Sequence, residues 1–122
     1  MILADTSVWV DHLRNCNPEM QEYLGRGQIL MHPFILAEIS LGSLRNRQKT
    51  LADMEALLES KVAELREVRH MIEAHALYSK GIGLIDAHLI ASCLITPGTK
   101  LWTRDGALKR VAAALQILAN LP

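Results

Sequence analysis

Aromatic residues are scarce in this chain: one Phe, two Tyr and two Trp among 122 residues. A surface that grips single-stranded nucleic acid by stacking successive bases on aromatic rings is therefore excluded. Cysteine is scarcer still. Cys16 and Cys93 stand far apart with no CxxC spacing, which leaves no disulfide framework or zinc knuckle and reads as two buried or incidental thiols in a reducing compartment. Neither sign of charge is in excess, since thirteen Lys and Arg balance thirteen Asp and Glu. No global positive field draws in nucleic acid, so any such binding rests on local patches. A membrane-spanning run is also missing: the most apolar stretch, 84–95, is too short and contains Asp86 and His88. Asp5 breaks the opening apolar run after four residues, so no secretory leader is expected and the cytoplasm is the expected location, with no membrane partner.

What the chain does have is a half-hydrophobic composition and punctuation by helix caps and turns, enough for one domain over 1–122. Ile2 to Ala4 reads as a buried strand, followed by a helix to about Arg14 capped by Thr6 or Ser7. Asn17-Pro18 is a cap and an N1 proline for a second helix, which Gly25 and Gly27 stop. Further strands are predicted at 28–31, 62–65, 100–103 and 116–118. Further helices are predicted at 33–44, 50–60, 66–80, 84–95 and 107–114, with a basic loop at 45–49 and a Pro97-Gly98 turn. Strands alternating with helices predict an α/β fold: a three-layer α/β/α domain with a central, mostly parallel sheet of four to five strands.

Against this background four carboxylates stand alone among apolar neighbours. Asp5 ends the run Met1-Ile-Leu-Ala, and Glu38 interrupts Phe34-Ile-Leu-Ala-Glu-Ile. Asp86 lies in Leu84-Ile-Asp-Ala-His-Leu-Ile-Ala, and Asp105 follows Leu101-Trp-Thr-Arg. Each has an ordinary reading: Asp5 as a helix cap, Asp86 as a complement to a helix N-terminus, Asp105-Gly106 as a turn. Glu38 resists one, because Phe34, Ile35, Leu41 and Gly42, its helical neighbours, offer no charge partner. An ionised carboxylate in apolar surroundings is costly unless paired or bound to a cation. Ligands of open parallel sheets bind beyond the carboxyl ends of the strands, where Asp5 and Asp105 are expected. Oxygen donors without a Cys/His cluster favour Mg²⁺ or Mn²⁺ over zinc. Such a site suits phosphodiester hydrolysis by a metal-activated water.

Four segments in order, Asp5-Thr6-Ser7-Val8-Trp9, Ile35-Leu36-Ala37-Glu38-Ile39 with Gly42, Leu84-Ile85-Asp86-Ala87-His88-Leu89-Ile90-Ala91 and Leu101-Trp102-Thr103-Arg104-Asp105, resemble those of the PIN-domain ribonucleases. Within that family the chain is most similar to the VapC-type toxins of toxin–antitoxin pairs, over nearly its whole length. The resemblance implies a metal-dependent endoribonuclease whose acidic quartet, Asp5, Glu38, Asp86 and Asp105, holds Mg²⁺ or Mn²⁺ and is catalytic. Asp5 and Asp86 are then direct ligands, and Thr6, Ser7 and Thr103 are supporting hydroxyls. It also implies an RNA substrate, a homodimer, and a cognate VapB-type antitoxin that places a basic side chain in the acidic pocket. Ala107-Leu108 departs from the family, many of whose members carry an aromatic there.

Arg45, Arg47 and Lys49, and Arg104 beside Asp105, are candidate contacts to RNA phosphates. Asp11 and Arg14 read as a surface pair on one helix. His88 is expected to pack rather than ligate, and the other histidines have no partner at ligand spacing. The helix at 50–60 offers apolar surface for a partner or for the core. Two other functions compete: a non-catalytic RNA-binding or regulatory PIN-fold module, which the intact quartet disfavours, and aspartyl-phosphate chemistry of the haloacid-dehalogenase kind, which wants a second Asp where Ser7 stands.

Overall fold

A computed structural model describes all residues 1–122. Three short strands, β1 (Ile2–Ala4), β2 (Ile29–Leu30) and β3 (Lys100–Trp102), form a parallel sheet in the order β2-β1-β3. Ile2 lies opposite Ile29 on one side and Lys100 on the other, and Ala4 lies opposite Trp102. Successive strand residues point to opposite faces of a sheet. Leu3 and Ala4 are both fully buried, as are Leu101 and Trp102, so both faces are covered, as three layers require. The chain steps from β1 to β2 in one direction and from β2 back past β1 to β3 in the other. Right-handed crossovers in opposite directions place the connecting helices on opposite faces.

Those helices are α1 (Thr6–Asn15), α2 (Pro18–Gly25), α3 (Pro33–Ser40), α4 (Arg47–Glu55), α5 (Leu65–Ala74), α6 (Leu84–Leu94) and α7 (Gly106–Ala114). Their ends follow side-chain chemistry. Asn17 caps α2 by accepting from Met20 N, with Pro18 at the first helical position. Helix α6 is apolar all round and buries seven consecutive residues, Ala87 to Cys93, between sheet and helices. Pro97-Gly98 makes the expected turn: Gly98 takes φ +83, and Thr99 N closes on Thr96 O at 3.1 Å.

Several expectations are corrected. The sheet has three strands, not four or five. The 62–65 segment forms no strand, and the neighbouring chain contributes one bridge, Met31 to Glu59. The 116–118 segment reduces to a single parallel bridge between Leu101 and Leu118. Helix α3 stops at Ser40, and α4 begins at Arg47, so much of the predicted basic loop is helical. Arg47 explains both ends: its guanidinium donates to Ser40 O and to Gly42 O at 3.0 Å, satisfying carbonyls that α3 leaves open. Helix α4 turns Met54 into the core, while Leu58 lies beyond its end and is exposed. Cys16 is exposed at the left-handed end of α1, whereas Cys93 is buried. No helix is long and apolar enough to cross a membrane.

Leu3 sits at the centre of the core, on the middle strand and fully buried. Truncation there removes contacts on a strand paired at both edges. Leu3→Ala is expected to cost about 2–5 kcal/mol, read as a lower urea midpoint at unchanged slope.

Candidate active site

The parallel register builds the site. Because Ala4 lies opposite Trp102, the residues that leave the two strands, Asp5 and Thr103, emerge side by side, with Asp5 N donating to Trp102 O at 2.9 Å. Asp5 caps α1 by accepting from Val8 N at 3.2 Å. The same oxygen accepts from Ser7 Oγ at 2.5 Å, and Oδ2 accepts from Thr103 Oγ1. Asp5 is only 5% exposed, so these bonds hold its carboxylate in one orientation. The capping role and the candidate site role coincide in one residue. Ser7 Oγ in turn accepts from Arg104 N, and Thr103 Oγ1 from Asp105 N, both at 3.0 Å. These two hydroxyls tie the loop after β3 to the start of α1, and place Asp105 as the cap residue of α7.

Glu38 lies on α3, and Thr6 Oγ1 at the first position of α1 donates to its Oε1 at 2.5 Å. Asp86 lies in the first turn of α6 and accepts from Gly83 N at 3.1 Å. Burial pushes the Asp86 carboxyl above the ordinary carboxylate range. The Gly83 N–H opposes this, and the negative charges of Asp105, Asp5 and Glu38 add to it. Acids from three other stretches of the chain thus lie near enough to Asp86 to oppose its ionisation.

No base neutralises them. The ion pairs of the molecule are Arg26 with Glu22, Lys49 with Asp53, and Arg104 with Asp11. Arg104, adjacent to Asp105 in sequence, turns away from it to Asp11 at 2.9 Å. This corrects the expected Asp11–Arg14 pair. Asp11 is held below its usual range by the Asn17 and Asn15 amides first, and less by Arg104. Of the candidate phosphate contacts, Arg47 is spent on α3 carbonyls and Lys49 on Asp53, while the Arg45 side chain makes no hydrogen bond or ion pair.

The donor set suits a hard divalent cation: four carboxylates, with Glu38 Oε2, Asp86 Oδ1 and both Asp105 oxygens free of hydrogen-bond partners. Their side chains do not stand as a finished cage, since no three His, Cys, Asp or Glu groups are arranged to hold an ion. Mutual repulsion keeps uncompensated carboxylates apart, and a cation removes that repulsion.

Sequence reasoning missed a cluster of aromatic rings formed by His32, Phe34 and His88. His32 is fully buried at the cap of α3, where Nδ1 accepts from Phe34 N at 3.0 Å. The proton of this neutral ring therefore sits on Nε2. His88 packs edge-on against Phe34 at 4.7 Å and lies 6.4 Å from the His32 ring. Only the short His32-Pro33-Phe34 spacing hinted at this cluster.

Comparison with known proteins fixes the family. The PIN domain model matches residues 2–114. The chain belongs to the PIN-domain family. Ribonuclease VapC32 of Mycobacterium tuberculosis, from strain CDC 1551 / Oshkosh and from strain ATCC 25618 / H37Rv, is 37% identical over 113 residues, covering 93% of this chain and 91% of the relative. This PIN domain is therefore of the VapC type.

Two stability predictions follow from the site's charges. Burial, reinforced by His88, lowers the His32 pKa to about 4 from 6.5. The unfolded chain then takes up a proton below 6.5 that the folded chain refuses, so stability is complete above that pH and falls toward pH 4, on the order of 3 kcal/mol at the limit. Chemical denaturation across pH 7 to 4 should show that loss, and His32→Asn, which keeps a cap, should flatten it. For Asp86 the sign is opposite. The folded state holds its proton more tightly, so ionised Asp86 costs stability at neutral pH. In EDTA, Asp86→Asn should raise Tm by roughly 2–4 °C.

Proposed function

We propose that this PIN domain is a metal-dependent endoribonuclease, the toxin of a toxin–antitoxin pair, with Asp5, Glu38, Asp86 and Asp105 as its catalytic acids. One observation carries the reading: Asp86 is held above the usual carboxylate range by burial and by three other acids, with no lysine or arginine paired to any of the four. Asp5 is buried and Asp86 half-buried, while Glu38 and Asp105 are exposed, so the group is open to an incoming cation and no base occupies it. The relative's name, a ribonuclease, gives the substrate class.

Asp5 and Asp86 are the direct ligands of Mg²⁺ or Mn²⁺, with Glu38 and Asp105 completing the shell or orienting water. When bound, such an ion lowers the pKa of water and neutralises charge on a phosphodiester. Asp5 arrives preoriented by Ser7, Thr103 and Val8 N. Thr6 takes one oxygen of Glu38 and leaves the other to accept a proton or a water hydrogen. Asp86, the acid whose ionisation is most opposed, gains most from a cation. The same uncompensated pocket accounts for the partner we propose, a VapB-type antitoxin that inserts a basic side chain among the acids. The toxin is proposed to act as a homodimer in the cytoplasm.

The test is cleavage of purified cellular RNA. Wild type should cut with Mg²⁺ or Mn²⁺ and fall to background in EDTA, and Asp5→Asn and Asp86→Asn should each lose activity while remaining folded. Undiminished cutting in EDTA, or by both variants, overturns the reading, and metal-dependent RNA binding without cutting transfers the protein to the non-catalytic class.

A further inference from the structure

A second cleft opens directly beside the acids. Its volume is about 450 Å³, within the range of nucleoside-sized ligand sites. Glu38, one of the four acids, and its partner Thr6 line it together with Arg14 of α1 and Arg45 of the 41–46 loop. Resting on the nuclease reading above, we propose that this cleft is a subsite for a nucleotide flanking the scissile phosphate, with Arg14 and Arg45 gripping the adjoining RNA backbone.

Three observations carry this. The first is charge. Neither Arg14 nor Arg45 has an ion-pair or side-chain hydrogen-bond partner, whereas Arg47, Lys49 and Arg104 nearby are all engaged. In a chain of zero net charge these two guanidiniums offset the repulsion that the acids impose on phosphate. The second is order. The Arg45 loop is fastened at both ends, by Arg47 to Ser40 O and Gly42 O and by Thr50 Oγ1 to Arg45 O at 2.8 Å. Arg45 is thus presented from a defined backbone. The third is spacing. Thr6 and Arg14 lie eight residues apart on one stripe of α1, about 12 Å by helical rise, too far to share a phosphate with the acids and suited to a neighbouring one. Between them Leu13 offers apolar wall to a base, with no aromatic ring to stack on. The cleft therefore grips the backbone and accepts varied bases.

The test is fluorescence anisotropy with an unstructured, mixed-sequence, single-stranded oligoribonucleotide in Mg²⁺. The protein carries Asp86→Asn to suppress cleavage, and Arg14→Gln, Arg45→Gln, both, or Arg69→Gln on α5 as a control with the same charge change. Each cleft arginine removed should weaken binding several-fold and lower the slope of log K against log salt by about 0.7, and Arg69→Gln should do neither. Equal effects from Arg69→Gln, or none from the cleft variants, overturn the subsite. So do cleft variants that bind RNA normally but lose the complex with a co-expressed antitoxin, which assigns the cleft to the protein partner. Because binding is read without cutting, these outcomes stand apart from the cleavage test: a wild type that cuts nothing refutes the nuclease, and the salt slopes of the arginine variants still decide whether the cleft grips RNA.

Discussion

Parallel pairing of β1 with β3 is the constraint on which the rest depends. Three residues of register, Ile2 with Lys100 to Ala4 with Trp102, bring chain segments from opposite ends of the sequence to one edge. Asp5 and Thr103 meet only because of it, and Ser7, Arg104 N and Asp105 N then close a small hydrogen-bonded knot around Asp5. The core secures this register by burying both faces of the middle strand, so the hydrophobic effect sets the position of a carboxylate to within a hydrogen bond.

Stability and chemistry pull in opposite directions at the other side of the pocket. Asp86 is placed by α6, a helix with seven consecutive buried residues, where ionisation is disfavoured by burial and by three more acids. A sequence selected for stability alone would place an arginine nearby or a neutral amide at 86. The acids stay open, while Arg104 is drawn off to Asp11 and Arg47 to the end of α3, which suits the cation site proposed above.

Much of this was legible in the linear sequence. The lone acids in apolar runs single out the residues proposed as the site, and caps such as Asn17-Pro18 and the Pro97-Gly98 turn mark element ends. Local patterns failed where partners come from elsewhere in the chain. Nothing near Arg104 in sequence reveals that it pairs with Asp11, and nothing near Arg47 reveals that it closes α3. The strand at 62–65 was over-read because short apolar stretches look alike whether they pair or simply plug a core: there Ala63 is buried, while Val62 is exposed. His32 and His88 lack any shared spacing, and only the fold brings His88 against Phe34 and His32.

The central claim is that acids from four stretches of chain share one hard cation. Anomalous diffraction from crystals grown with Mn²⁺ addresses it most directly. The account predicts a peak at about 2.0–2.2 Å from oxygens of Asp5 and Asp86, with Glu38 and Asp105 facing the same ion. A peak elsewhere on the molecule, or none at saturating Mn²⁺ with a lysine or arginine seated among the four carboxylates, would contradict it.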